Sequence, residues 1–221
     1  DTPRPSSRTN RTRLVPPPQD EEKAREVMAE LATAHQELGK ALGDALTRLA
    51  AVLARFLHPA LATFESIDFD EVESAIAESP AAQELVASLE ATLQPLAEEL
   101  SQGCLDTLVL VLISEHIAPA LERLALGKNA AAFSPVGAML LDKDVRAVVA
   151  FLAGLTHRTV RDPFARLSQI ALVLNLGEPS EIFDYNWGEA GSPIAWRLTA
   201  DEARPGPAPF GPRAGPHPPR S

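Results

Sequence analysis

A chain of 221 residues is long enough to bury one good core or two small ones, and 45% hydrophobic with 23% charged residues is the composition of a soluble globular protein. The net charge of −10 is unevenly spread: residues 1–19 and residues 203–221 carry +3 each, which leaves −16 on the stretch between. A body that acidic repels nucleic acid and anionic lipid, and the lone Cys104 excludes an internal disulfide or a cysteine-based zinc site and fits a reducing compartment.

Twelve of the 20 prolines lie at the two ends, five before residue 20 and seven after residue 204. Residues 1–19 and 205–221 are therefore expected to be disordered arms, since such stretches cannot bury enough surface to offset chain entropy. No secretory signal opens the chain and no Met precedes Met28, so it reads as part of something longer. The uninterrupted apolar run Leu108 to Ile113 is too short to span a bilayer.

Between the arms, abundant Ala and Leu with scarce Gly favour helix. Asp20 is placed to cap a long helix with an apolar stripe at Leu31, Leu38, Leu42, Leu46, Leu49, Leu53 and Phe56, ended by His58-Pro59. Ser79-Pro80 opens the next, with Leu85, Leu89, Leu93, Leu96 and Leu100 on one face and a kink at Pro95. After Gly103 a third helix runs through Leu105, Leu108, Leu112, Ile117, Leu121 and Leu124, bent by Pro119. Residues 127–141 read as a connection, and Asp142 as the cap of a helix burying Val145, Val148, Val149, Leu152 and Leu155. Asp162-Pro163 starts another, with Phe164, Leu167, Ala171 and Leu174 inward. There is no alternating strand pattern and no internal repeat. The expectation is an all-α fold of two consecutive small antiparallel helical bundles, residues 20–102 and 103–204.

Signatures of catalysis are missing. No glycine-rich phosphate loop, no G-x-S-x-G elbow and no His pair at metal-ligand spacing occurs, and the five histidines are scattered. The carboxylates fall on outer helix faces, where a solvated surface accounts for them. No catalytic residue, metal or cofactor is assigned. The arginines of the N-terminal arm have no interleaved aromatic to stack on bases, which again speaks against nucleic acid. The sequence alone leaves a helical interaction module, with a generic helical adaptor and a small helical enzyme as alternatives.

One stretch is more specific. Arg161-Asp162, Phe164-Ala165-Arg166-Leu167-Ser168-Gln169, Leu174-Asn175-Leu176, Asp184-Tyr185 and Trp196-Arg197-Leu198-Thr199 follow one another in a single order. This resembles the C-terminal part of the subunit 4 family of the conserved oligomeric Golgi complex, strongly over residues 142–199 and more faintly back to about residue 60. The resemblance implies a non-enzymatic fragment of a rod-like vesicle tether, peripheral on the cytosolic face of the Golgi membrane and acting in intra-Golgi retrograde transport. Implied partners are sibling subunits, SNAREs with their regulators, and Rab GTPases. Two departures stand out. Asn186 separates Tyr185 from Trp187, and Pro205, Pro207 and Pro209 forbid the helix that the capping box Thr199 to Glu202 announces.

Within this stretch Arg166 is open to three readings. It could form an intrahelical pair with Asp162, worth ~0.3–0.5 kcal/mol if exposed, a pair with Glu202 across the bundle, or a polar contact patch with Gln169. Arg161, Tyr185, Trp187, Trp196 and Arg197 are candidates for partner contact or for packing, because Phe183, Tyr185, Trp187 and Trp196 gather four of only eleven aromatics into fourteen positions.

Overall fold

The computed structural model describes residues 18–127, 133–176, 179–185, 187 and 195–199. Among these the regular structure is helical throughout, as the periodicity predicts. Helix α1 spans Pro18–Glu65, α2 Pro80–Glu99, α3 Gln102–Leu112, α4 Ala118–Leu126, α5 Pro135–Leu155 and α6 Arg161–Leu174, and a short 3₁₀ turn covers Pro179–Tyr185. The chain forms two compact units, Asp1–Asp44 and Ala45–Ser221. Of the expected arms 1–19 and 205–221, residues 1–17 and 205–221 lie outside the described residues, and 18–19 open α1.

In the second unit one hydrophobic cluster draws on residues from both sides of the expected boundary at 102 and 103. Leu57, Phe64, Leu85, Leu89 and Leu93 share it with Leu108, Leu112, Ile117, Leu121, Leu141, Val148, Phe164 and Leu167. A side chain of that size, fully buried, contributes roughly 1.5–3 kcal/mol, so this shared core dominates the unit's stability. Helix α5 packs on α2 and α6, and α6 also packs on α4.

Three expectations need correction. First, α1 does not end at Pro59 but runs on to Glu65, because Leu57, Ala60 and Phe64 are buried and outweigh the hydrogen bond that the proline removes. Second, its leucine stripe is not one buried face: Leu46 and Leu53 are buried, whereas Leu31, Leu38, Leu42 and Phe56 are exposed. Third, α5 begins at Pro135 rather than Asp142. Ser134 is the N-cap, its hydroxyl accepting from the Gly137 amide at 3.1 Å, and Asp142 lies inside the helix paired with Arg146 at 2.8 Å.

The early start of α5 fixes the long connection 66–79. The amide of Ser134 (3.2 Å) and its hydroxyl (3.0 Å) both donate to the Phe69 carbonyl, and the rings of Phe69 and Phe133 stack with centroids 4.7 Å apart. A side chain at Gly137 would put its Cβ 1.9 Å from that same carbonyl oxygen, so only glycine fits. Further along, Lys143 donates to the Ile76 carbonyl and Asp144 accepts the Ser79 amide at 2.8 Å. Ser79 in turn caps α2 by accepting from Ala82 at 3.0 Å.

Between α3 and α4 the chain makes a π-helical turn over Ile113–Ile117, closed by the Ala118 amide donating to the Ile113 carbonyl. Pro119 follows at once, so the expected bend is taken up by a widened turn in a continuous helical run. By length and hydropathy alone, Gln102–Leu126 and Asp20–Glu65 could each cross a membrane, which the short uninterrupted run had hidden. In Gln102–Leu126 the apolar character belongs to the protein core, where Leu105, Leu108, Leu112, Ile113, Ile117 and Leu121 are buried.

Two buried carboxylates hold these elements with opposite pH signatures. Asp106 accepts from the Thr156 hydroxyl (2.7 Å), the Gln102 amide (2.8 Å) and the His157 backbone (3.0 Å), tying the α5–α6 turn to α3. These bonds, the Thr156 hydroxyl foremost, hold its carboxyl below the usual range. Burial pushes Asp144 up, helped by neighbouring Glu78 and opposed by the Ser79 hydrogen bonds and Lys143; its Oδ2 has no hydrogen-bond partner.

Gly137→Ala should lower the unfolding free energy by about 2–3 kcal/mol in urea titrations, since backbone rather than a movable side chain opposes the new methyl. Gly154→Ala, with nothing within 4 Å, is the control and should be neutral or stabilising. The carboxylates separate by pH. Asp106, with its folded pKa depressed, contributes stability that is full above its unfolded value and lost as pH falls through the folded one. Asp144, with its folded pKa raised, contributes stability that is full below its unfolded value of about 3.9 and lost as pH rises through the folded one. Urea midpoints measured across this range should therefore show a flatter acid limb in Asp106→Asn and a smaller loss on the less acidic side in Asp144→Asn.

Candidate interaction surface

Helix α6 starts where Arg161, Asp162 and Pro163 supply an acidic first turn and a proline that needs no helical partner. Its apolar side, Phe164, Leu167, Ile170 and Ala171, is buried in the shared core. On another side sits Gln169, 7% exposed, which is low for a polar residue and calls for satisfied hydrogen bonds.

Those bonds go to the segment 195–199. The Gln169 amide nitrogen donates to the Ala195 carbonyl at 3.0 Å, and its oxygen accepts the Arg197 amide at 2.7 Å. One side chain thus serves both polar groups flanking residue 196, as a neighbouring strand would. Trp196 donates from Nε1 to the Tyr185 carbonyl at 3.2 Å and meets Trp187 edge-on, with ring centroids 4.8 Å apart at 77°. The Arg197 guanidinium donates to the Asp162 carbonyl at 2.7 Å and reaches its carboxylate at 3.4 Å. Leu198 is buried and closes the strap.

The sequence candidates therefore divide. Gln169, Trp187, Trp196, Arg197 and Asp162, with the Tyr185 backbone, come together in one strap. Arg161 stays exposed on α6, its amide donating to the Thr159 hydroxyl at 3.3 Å. Of the three readings of Arg166, the pair with Asp162 does not form among the described residues: Asp162 takes Arg197, and Arg166 pairs with Glu122 on α4. The two side chains of that pair retain 29% and 15% of their exposure, so it is a half-buried tie between helices rather than a surface pair. The proposed partner Glu202 lies outside the described residues. Glu122 was missed because nothing in its own helix marks it; Arg166 finds it only through the packing of α4 on α6.

Phe183 (64% exposed) and Tyr185 (39%) are open to solvent, as are Arg161 and Arg197. Two depressions elsewhere, one lined by Glu122, Arg123 and Arg166 and one by Asp142, Arg146, Ser168 and Asn175, are open, and their acid–base pairs are engaged with each other. Among the described residues no group of three or more His, Cys, Asp or Glu could hold a metal ion.

The family model for the conserved oligomeric Golgi complex subunit 4, C-terminal, matches residues 2–205. The chain belongs to that family. Conserved oligomeric Golgi complex subunit 4 of Arabidopsis thaliana is 37% identical over 200 residues, covering 87% of this chain and 26% of the relative. The mouse protein of the same name is 35% identical over 149 residues (67% of this chain, 18% of the relative), and the human one 31% over 182 residues (80% and 22%). This chain thus spans about a quarter of the length of the subunit 4 relatives it matches. The family match also reaches well before residue 60, where the resemblance legible in the motifs stops.

Arg166→Ala and Glu122→Ala should be non-additive, with a coupling of about 1–2 kcal/mol in a double-mutant cycle read by urea unfolding, because the two half-buried side chains contact each other directly. Arg166→Ala with Asp162→Ala should add, since Asp162 is engaged by Arg197.

Proposed function

We propose that this chain works as the C-terminal part of a Golgi vesicle-tethering subunit, without catalysis, through contacts with other proteins. The observation that carries the reading is the family match across residues 2–205. Its setting is intra-Golgi retrograde transport at the cytosolic face of the Golgi membrane, as a peripheral protein. Its partners are other subunits of the conserved oligomeric Golgi complex, joined by SNAREs, their regulators and Rab GTPases.

The contact face we assign to this role is the outer side of the strap: Phe183, Tyr185, Arg161 and Arg197. Exposed aromatics are costly to leave in water and dominate binding when a partner covers them, whereas Gln169, Trp187 and Trp196 hold the face in place from beneath.

Affinity purification of the tagged chain from a Golgi-containing extract should recover other tether subunits. Phe183→Ala combined with Tyr185→Ala should reduce that recovery by about tenfold while leaving the melting temperature unchanged. Recovery of no tether subunit, or of a set of proteins unconnected with the Golgi, would overturn the reading.

A further inference from the structure

In the first unit the described residues from Asp20 to Leu42 are all exposed, yet Met28, Leu31, Leu38 and Leu42 stand 64%, 61%, 72% and 49% open. With His35 they follow steps of three, four, three and four, which is the a/d spacing of a helix paired with one other helix. A helix of this kind is marginal by itself and takes its stability from the face it packs. We infer that this row is the seat of an apolar helix contributed by the part of subunit 4 that lies outside the matched region.

Three observations select that occupant. The row is narrow, flanked by Ala32, Ala34, Gly39 and Ala41, so it admits a single helix at close approach rather than a broad surface. The opposite face carries Glu26, Glu30, Glu37 and Asp44 against Lys23 and Lys40, a net negative charge and the wrong sign for lying on an anionic membrane. The flanking positions that would choose among partners by charge hold small neutral residues, which suits a helix supplied by the same polypeptide and needing no selection. The relatives have chain from which to supply such a helix, because about three-quarters of the Arabidopsis thaliana protein lies outside the match and the matched family is described as C-terminal. The inference rests on family membership alone and is independent of the transport role and of the strap surface.

Amide hydrogen exchange at residues 20–44 tests it. Exchange is compared between this chain alone and the full-length Arabidopsis thaliana relative in which this chain replaces the matched segment. Residues 20–44 should exchange at least about tenfold more slowly in the full-length protein. Leu31→Glu with Leu38→Glu should return them to the rate of the isolated chain, whereas Glu30→Lys with Glu37→Lys on the opposite face should not. Protection at Leu85, Leu89 and Leu93 in the second unit serves as the folding control. The same comparison after adding the separately expressed remainder of the relative to this chain reads the contact without a covalent join. Equal exchange in all arms would overturn the proposal. So would slowing in the isolated chain that grows with concentration and comes with a dimer mass by light scattering, since a second copy would then be the occupant.

Discussion

The contact that organises the second unit is the Phe69 carbonyl lodged against the first turn of α5. Ser134 spends its amide and hydroxyl on that oxygen while its own hydroxyl oxygen caps the helix, and Gly137 leaves the room the approach requires. A free carbonyl packed into a core would be costly, so the segment leaving α1 has to be anchored at this place. With Phe69 fixed, Ile76 and Ser79 fall to Lys143 and Asp144 two turns further along the same helix. The start of α2 is thereby set against α5, and the leucines of α2 enter the core at the positions they occupy.

Much of this was legible wherever the chain marks its own helix ends. Ser79-Pro80 and Asp162-Pro163 carry local chemistry that gives α2 and α6 their starts, and the apolar spacing of Leu85, Leu89 and Leu93 named a buried face correctly. Periodicity could not say which of two faces of α1 is covered, because an apolar residue on a partnered face and one on an open face look alike. Leu46 and Leu38 differ only in what lies beside them. Ser134-Pro135 is as clear a start signal as Ser79-Pro80, yet Gly137 made it read as loop, when that glycine answers a carbonyl from sixty-odd residues away.

The strap was legible as a cluster of residues and illegible as an arrangement. Aromatics crowded between residues 183 and 196 announce a packed feature, but the pairing of Gln169 with the backbone around Trp196 depends on where the segment lies across α6. The same holds for the ion pairs. Spacing of four within a helix suggested Arg166 with Asp162, whereas the fold gives Asp162 a nearer claimant in Arg197 and brings Glu122 to Arg166 from another helix. Half-burial makes that second pair matter, since water screens it less than it screens a pair on the open surface.

The π-helical turn before Pro119 is, in the language of sequence comparison, one residue inserted into an otherwise regular helix. An extra residue rotates everything after it by about 100° relative to what precedes it. The leucines of α3 and those of α4 therefore belong to two different phases, and both phases reach the core only because the turn sits between them. Relatives that lack the insertion would have to move their apolar positions by one residue on one side of it. An alignment drawn without a gap through Ile113–Ile117 would then match buried residues of α4 with exposed ones.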